Sequence, residues 1–241
     1  MPIWERKRLN ILSLENVDVF YGKAQVLHGI NLSVGGGEIV SLIGRNGAGK
    51  TTTLRSIIGL LPCAHGKRML DSSDVTKEKP HVLSRLGISY VPETREIFPN
   101  LSVLENLRVA EVAHHPGDWT LDRIFKLFPI LKDRLRSRGD TLSGGEQQML
   151  AIGRGVLSNP RLIMLDEPTE GLAPLFVKAV KEAIVSINEE NVSVLLVEQK
   201  LKIPLSIAHR HYIIENGVIV WKGGSSDLLN DKKSVEKYIS L

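Results

Sequence analysis

Glu38-Ile-Val-Ser-Leu-Ile-Gly44-Arg45-Asn46-Gly47-Ala48-Gly49-Lys50-Thr51-Thr52 decides the fold. Its first six residues form a short apolar run, the pattern of a strand buried on both faces. Gly44 to Thr51 matches G-x-x-x-x-G-K-[ST] in full, and a helical segment, Thr51 to Ile58, follows. Strand, glycine-rich turn and helix in that order make a phosphate loop. Glycines let the backbone curl so that successive N–H groups point at phosphate oxygens. The helix N-terminus adds partial positive charge. Lys50 is expected to reach the β- and γ-phosphates, and the Thr51 hydroxyl to ligate Mg²⁺.

Further strands flank this unit. Arg161-Leu-Ile-Met-Leu165 runs into Asp166-Glu167, and Val192-Ser-Val-Leu-Leu-Val197 is a third apolar run. Helical patterns between them predict a parallel α/β core. Beside a phosphate loop, two acids after a strand suit a metal-side carboxylate, Asp166, acting through the metal's hydration shell, and a water-polarising one, Glu167. Residues 11–34 read as short strands around Tyr21-Gly22, and Asn216-Gly217 stands between two β-rich runs as a hairpin turn. An antiparallel β portion is therefore expected on the core. Residues 96–138 are mostly helical in pattern, broken at His114-His-Pro-Gly117, with Pro129 inside an apolar segment.

Composition excludes other classes. With 241 residues and 42% hydrophobic content the chain can bury a full core. One cysteine, Cys63, excludes an internal disulfide framework and four-cysteine zinc sites, and reads as a small hydrophobe. The net charge of +4 is scattered along the chain, which argues against nucleic acid. No run approaches a membrane span, and Glu15 and Asp18 interrupt the only candidate for a signal-peptide core.

Leu142-Ser143-Gly144-Gly145-Glu146-Gln147-Gln148 carries the most information. Ser143 and Glu146 form a capping box, S-x-x-E, opening a helix to about Leu157. A cap alone does not explain the two glycines, since each costs about 1 kcal/mol in a helix relative to alanine. Bare N–H groups that an anion can approach closely would justify them.

With this motif the chain resembles the ATP-binding-cassette (ABC) ATPases from about Leu12 to Ile219. Leu142 to Glu146 is similar to that family's signature. The resemblance implies a phosphate-loop NTPase core of mostly parallel sheet, an antiparallel β portion and a helical signature subdomain. It implies one domain over about 10–238, with core and β portion at about 10–95 and 156–238, a helical insert at about 96–155, and a 1–9 extension. It implies ATP and Mg²⁺ as ligands, held by Gly44 to Thr52. Two cassettes would pack head to tail, with Ser143, Gly144, Gly145 and Glu146 offered to the partner's nucleotide. Tyr21 falls where the family stacks an aromatic on adenine; a strand tyrosine packed on the β portion is the other reading.

Some positions select a branch. Val91-Pro92 is followed by Glu93 where glutamine is usual, and Gln199 replaces the switch histidine. With Arg95-Glu-Ile-Phe-Pro99 and Asp166-Glu-Pro-Thr-Glu-Gly-Leu-Ala-Pro174, these resemble the smaller ATPase of branched-chain amino-acid importers; urea and short-amide importers are close relatives. Thr94, where glycine is usual, and Asp71-Ser-Ser-Asp74, in place of a glycine-rich turn, depart from that pattern. Gln199 keeps a donor for the γ-phosphate but cannot carry positive charge. Glu93 is open to three roles: coordinating Mg²⁺, holding the attacking water, or facing a partner. The resemblance implies separate membrane permease chains, an extracytoplasmic solute-binding protein and a peripheral place on the cytoplasmic face of the cell membrane. The competing expectations are a soluble ABC ATPase, an exporter subunit and a binding module without hydrolysis, the last opposed by Glu167. Too few positions separate Lys50 from Ser143 for the coiled coil of DNA-repair members.

The remaining motifs read as structural. His114 and His115 suit a solvated loop, and His209 and His211 lack a ligand pattern. Ser102 and Glu105 form a second capping box. By resemblance residues 96–110 lie near the groove for a cytoplasmic permease helix, with an ordinary core helix as the alternative. The basic arm Trp4–Arg8 reads as an extension.

Overall fold

The structure, a computed structural model, describes residues 9–111 and 117–231. The Trp4–Arg8 arm, His114 and His115 lie outside the described residues.

Among the described residues ten strands form two sheets. The first has the order β2-β1-β4-β5, with β1 Asn10–Tyr21, β2 Ala24–Gly35, β4 His65–Leu70 and β5 Ser73–Asp74. All its pairings are antiparallel. The short strands expected over 11–34 are instead two strands of 12 residues each. Register shifts between Leu14 and Val17, and again around Val19, interrupt the alternation. An alternation reset by bulges reads as several short strands. In the β4–β5 turn Asp71 and Ser72 take left-handed conformations without a glycine. Asp71 also holds Arg161 through both carboxylate oxygens, at 2.5 and 3.0 Å, tying this sheet to the core.

The second sheet has the order β10-β9-β3-β8-β7-β6. Its strands are β3 Ile39–Ile43, β6 Ile88–Val91, β7 Leu162–Asp166, β8 Ser193–Glu198, β9 Arg210–Glu215 and β10 Val218–Gly224. All pairs are parallel except β9 with β10. Side chains along a strand alternate between faces. Leu162 and Met164 thus join one core, with α1 Lys50–Ile57 and the first sheet, while Ile163 and Leu165 join another with the helices of the far side. The apolar runs legible in the sequence are apolar on both counts because both faces are covered.

The far side holds α3 Val103–Glu111, α4 Leu121–Leu127, α5 Pro129–Asp133, α6 Gly144–Leu157 and α7 Pro174–Glu189. Pro129 opens α5, where its missing N–H costs nothing. Helices α2 Pro80–Arg85, α8 Lys202–Ile207 and α9 Ser225–Asn230 complete the chain. Both capping boxes form: Ser143 with Glu146, and Ser102 with Glu105. None of the helices is long and apolar enough to cross a membrane among the described residues.

Asn216 and Gly217 both adopt positive φ, 47° and 75°, the two-residue turn that matches strand twist. This turn also braces the phosphate loop. Gly217 N donates to Ala48 O at 2.9 Å, and His28 N donates to Gly217 O at 2.8 Å. Cys63 is half-buried against the core, and burial raises its thiol pKa. His209 and His211 are structural: His209 Nδ1 accepts from Ile39 N, and buried His211 bridges the hydroxyls of Ser41 and Ser225.

Candidate active site

The phosphate loop joins the end of β3 to the start of α1. Gly49 holds φ 110°, a left-handed conformation that turns the chain into the helix and that a side chain would strain. Lys50 follows, 4% exposed, its Nζ donating to Gly44 O at 2.8 Å and Arg45 O at 3.0 Å. The same Nζ stands 3.1 Å from Glu167 Oε1. A lysine this buried needs such partners, and a phosphate could take their place.

β7 delivers the two acids. Asp166 is 1% exposed and its Oδ2 accepts from the Tyr90 hydroxyl at 3.1 Å, with the Thr51 hydroxyl close by. Burial pushes the Asp166 carboxyl pKa up, with the Thr51 and Tyr90 hydroxyls opposing. Its Oδ1 is buried without a partner. An unpaired carboxylate oxygen beside a hydroxyl is hard-oxygen chemistry, which fits Mg²⁺. No trio of His, Cys, Asp or Glu side chains gathers as a metal cage among the described residues. A cation at Thr51 and Asp166 would therefore complete its shell with phosphate oxygens and water.

Glu167 adopts a left-handed φ of 47°, a conformation rare for a residue with a side chain. Its N donates to Val197 O at 3.0 Å, and its Oε2 accepts from Gln199 Nε2. Asn46, Gly47, Gly49 to Thr52, Glu93, Glu167 and Gln199 together line a cleft of about 300 Å³. The structure thus brings most phosphate-loop, acid and switch residues singled out in the sequence to one place.

Other singled-out residues stand elsewhere. Tyr21 ends β1, 44% exposed and outside the cleft lining, and shares the Arg55 guanidinium with Tyr90. Ser143 and Gly144 are exposed at the N-terminus of α6, away from the cleft of their own chain. The Glu146 carboxylate is engaged in the cap: it accepts from Ser143 N at 2.7 Å and from Arg134 Nε at 3.2 Å. Burial opposes ionisation there, but these bonds hold its pKa below the usual range. Gly145 has a packing reason as well: a Cβ would fall 2.3 Å from the Phe176 ring of α7. Packing against Phe176 thus demands a glycine at 145 whether or not an anion approaches its N–H.

Two contacts near the site, those of Tyr90 and of Arg95, escape sequence reasoning. Tyr90 holds Asp166 across 76 positions, and nothing local marks it. Arg95 fastens the loop after Glu93 to the signature helix, donating to Gln148 Oε1 and Gln147 Oε1 at 3.2 Å each. Arg154 adds a bond from Nη2 to Glu96 O at 2.6 Å. Beyond this loop lies a larger groove of about 670 Å³, lined by Tyr90, Ile97, Phe98, Val109 and Arg154 among others. Buried Asn106 shapes its rim: its Oδ1 accepts from Phe98 N at 2.8 Å, and its Nδ2 donates to Phe98 O at 3.0 Å.

Comparison with known proteins places this geometry. Residues 27–170 match the family described as ABC transporter. The chain is 41% identical over 231 residues to the high-affinity branched-chain amino acid transport ATP-binding protein BraG of Pseudomonas aeruginosa, covering 95% of this chain and 99% of that one. It is 32% identical to the lipopolysaccharide export system ATP-binding protein LptB of Escherichia coli K12, covering 95% and 96%. A crystal structure of a nucleotide-free ATP-binding cassette from an ABC transporter superposes with a TM-score of 0.81 at 28% identity, over 96% of this chain and all of that one.

Proposed function

The chain belongs to the ABC transporter family as an ATP-hydrolysing subunit, and from that premise we propose that it energises uptake of branched-chain amino acids through separate permease chains. The observation that carries the import reading is the 41% identity to BraG over nearly the whole chain, against 32% to the export protein LptB. Glu93 and Gln199, two of the departures that mark the branch, both line the phosphate cleft.

Lys50 exchanges the carbonyls of Gly44 and Arg45 for phosphate oxygens. Thr51 and Asp166 would hold Mg²⁺, with Glu93 at the cleft edge. Bound there, the ion would supply positive charge against the phosphate oxygens. Glu167 accepts a hydrogen bond from the attacking water and aims it at the γ-phosphorus. Gln199 fixes the other oxygen of Glu167 and turns a donor toward the γ-phosphate, from which ADP departs as water adds. Ser143 and Gly145 stand at the N-terminus of α6 with no nucleotide of their own chain to touch. A second cassette packed head to tail brings them to the partner's γ-phosphate. The groove lined by Phe98 and Arg154 is the face for a permease helix, on the cytoplasmic side of the membrane. The solute-binding protein selects the substrate outside.

Uptake of labelled leucine, isoleucine and valine by source cells carrying Lys50→Ala tests the substrate. Loss of all three supports the proposal. Normal amino-acid uptake with loss of urea or amide uptake moves the chain to those relatives. Normal uptake of every solute overturns the importer assignment.

A further inference from the structure

Three consecutive residues at the end of β8 hold the segment that follows Asp166. Val197 O accepts from Glu167 N at 3.0 Å, and Gln199 Nε2 donates to Glu167 Oε2. Between them, Glu198 Oε1 accepts from both the hydroxyl and the N–H of Thr169, at 2.7 and 3.3 Å. Glu198 is 3% exposed and forms no ion pair among the described residues. A buried carboxylate with no cation is costly to keep, so its two bonds to Thr169 need a reason. Glu167 supplies one. Its left-handed backbone persists only where the surroundings over-determine it. Thr169 lies two residues on, across a turn closed by Glu170 N donating to Glu167 O at 3.2 Å.

We propose that Glu198 is a positioning residue for hydrolysis: by gripping Thr169 it locks the backbone of Glu167 and keeps that carboxylate aimed into the cleft. The inference rests on Glu167 orienting the water. The charged groups facing Glu198 are Glu167 and Glu170 from the segment after β7, with Lys50 of α1 reached through Glu167. Burial pushes the Glu198 carboxyl up to about 7, Thr169 opposes, and the two glutamates add to the rise. A carboxylate accepts stronger bonds than a carboxylic acid, so the grip tightens as pH rises through neutrality.

Steady-state ATP hydrolysis by the purified full chain tests this with Thr169→Val, Thr169→Ser and Glu198→Gln. Thr169→Val should lower kcat about tenfold and leave KM for ATP within about threefold, and Thr169→Ser should recover most of the loss. The parent kcat should climb between about pH 6.5 and 7.5, and Glu198→Gln should be flat across that range. The inference is overturned by a Thr169→Val kcat within about twofold of the parent, by Thr169→Ser performing no better than Thr169→Val, or by Glu198→Gln keeping the climb. The Thr169 pair decides the matter if Glu198→Gln does not fold. Glu167→Gln is measured alongside. Normal turnover there overturns the role of Glu167 and this inference with it. An inactive Glu167→Gln beside an unaffected Thr169→Val overturns the Glu198 inference alone.

Discussion

Gln199 donates its side-chain amide to Glu167 Oε2 while Lys50 Nζ stands 3.1 Å from Oε1 of the same carboxylate. The Glu167 carboxylate is thus held from both sides by residues far from it in the chain. Gln199 cannot become a cation, so one chain's own site carries less positive charge than a histidine switch supplies. Turnover by the homodimer should be slow and should rise when this chain is paired with an ATPase bearing the histidine. ATPase assays on both assemblies check this. Faster turnover by the homodimer contradicts it.

Removing Lys50 should damage stability as well as binding. Lys50→Ala leaves the Glu167 carboxylate, 7% exposed, without its cation. Breaking a buried pair from one side costs about 3 kcal/mol. Urea unfolding should show that loss, and Lys50→Ala with Glu167→Gln together should recover part of it while nucleotide binding stays absent.

Gly145 separates packing from phosphate contact. Gly145→Ala drives a Cβ into the Phe176 ring and should cost roughly 1–3 kcal/mol. Adding Phe176→Ala opens that space. The double variant should regain stability by thermal unfolding yet hydrolyse ATP poorly, because the methyl still obstructs the signature. Full recovery of turnover would mean that Gly145 serves packing alone.

Acid should weaken the fold through His211. Burial depresses its pKa from 6.5 to about 4, and it sits neutral between Ser41 and Ser225. The unfolded chain binds the proton more readily, so the contribution is fully present above pH 6.5 and is lost as pH falls toward 4. At about 1.36 kcal/mol per unit this is roughly 3 kcal/mol. Urea midpoints at pH 7 and pH 4.5 should differ clearly in the parent and less in His211→Gln.

Arg68 is a buried cation satisfied by backbone carbonyls. It is 1% exposed, and its guanidinium donates to the carbonyls of Ser56, Val75, Thr76 and Glu78. Ser56 lies in α1, so this cation clamps the helix that opens with Lys50. Arg68→Met should strand those carbonyls and cost about 3 kcal/mol or more, read by urea unfolding.

What the sequence made legible is local. The phosphate loop, the Ser143–Glu146 cap, the Asn216-Gly217 turn and the doubly buried strands each lie within a few residues, where spacing and residue type suffice. Long β1 and β2 were obscured by bulges that reset the alternation. Tyr90, Arg95, Arg68 and Glu198 were not legible because their partners are distant in the chain. Nothing in Val197-Glu-Gln-Lys200 says that Glu198 meets Thr169, since that contact exists only once β7 and β8 are side by side.

The most direct test of the account is Glu167→Gln in the assembled ATPase, with ATP binding and turnover measured on the same preparation. Glutamine keeps the shape and the contact with Gln199 but no longer polarises water. The account predicts ATP binding close to the parent and hydrolysis slower by at least ~100-fold, about 2.7 kcal/mol of barrier. Turnover at the parent rate would contradict it.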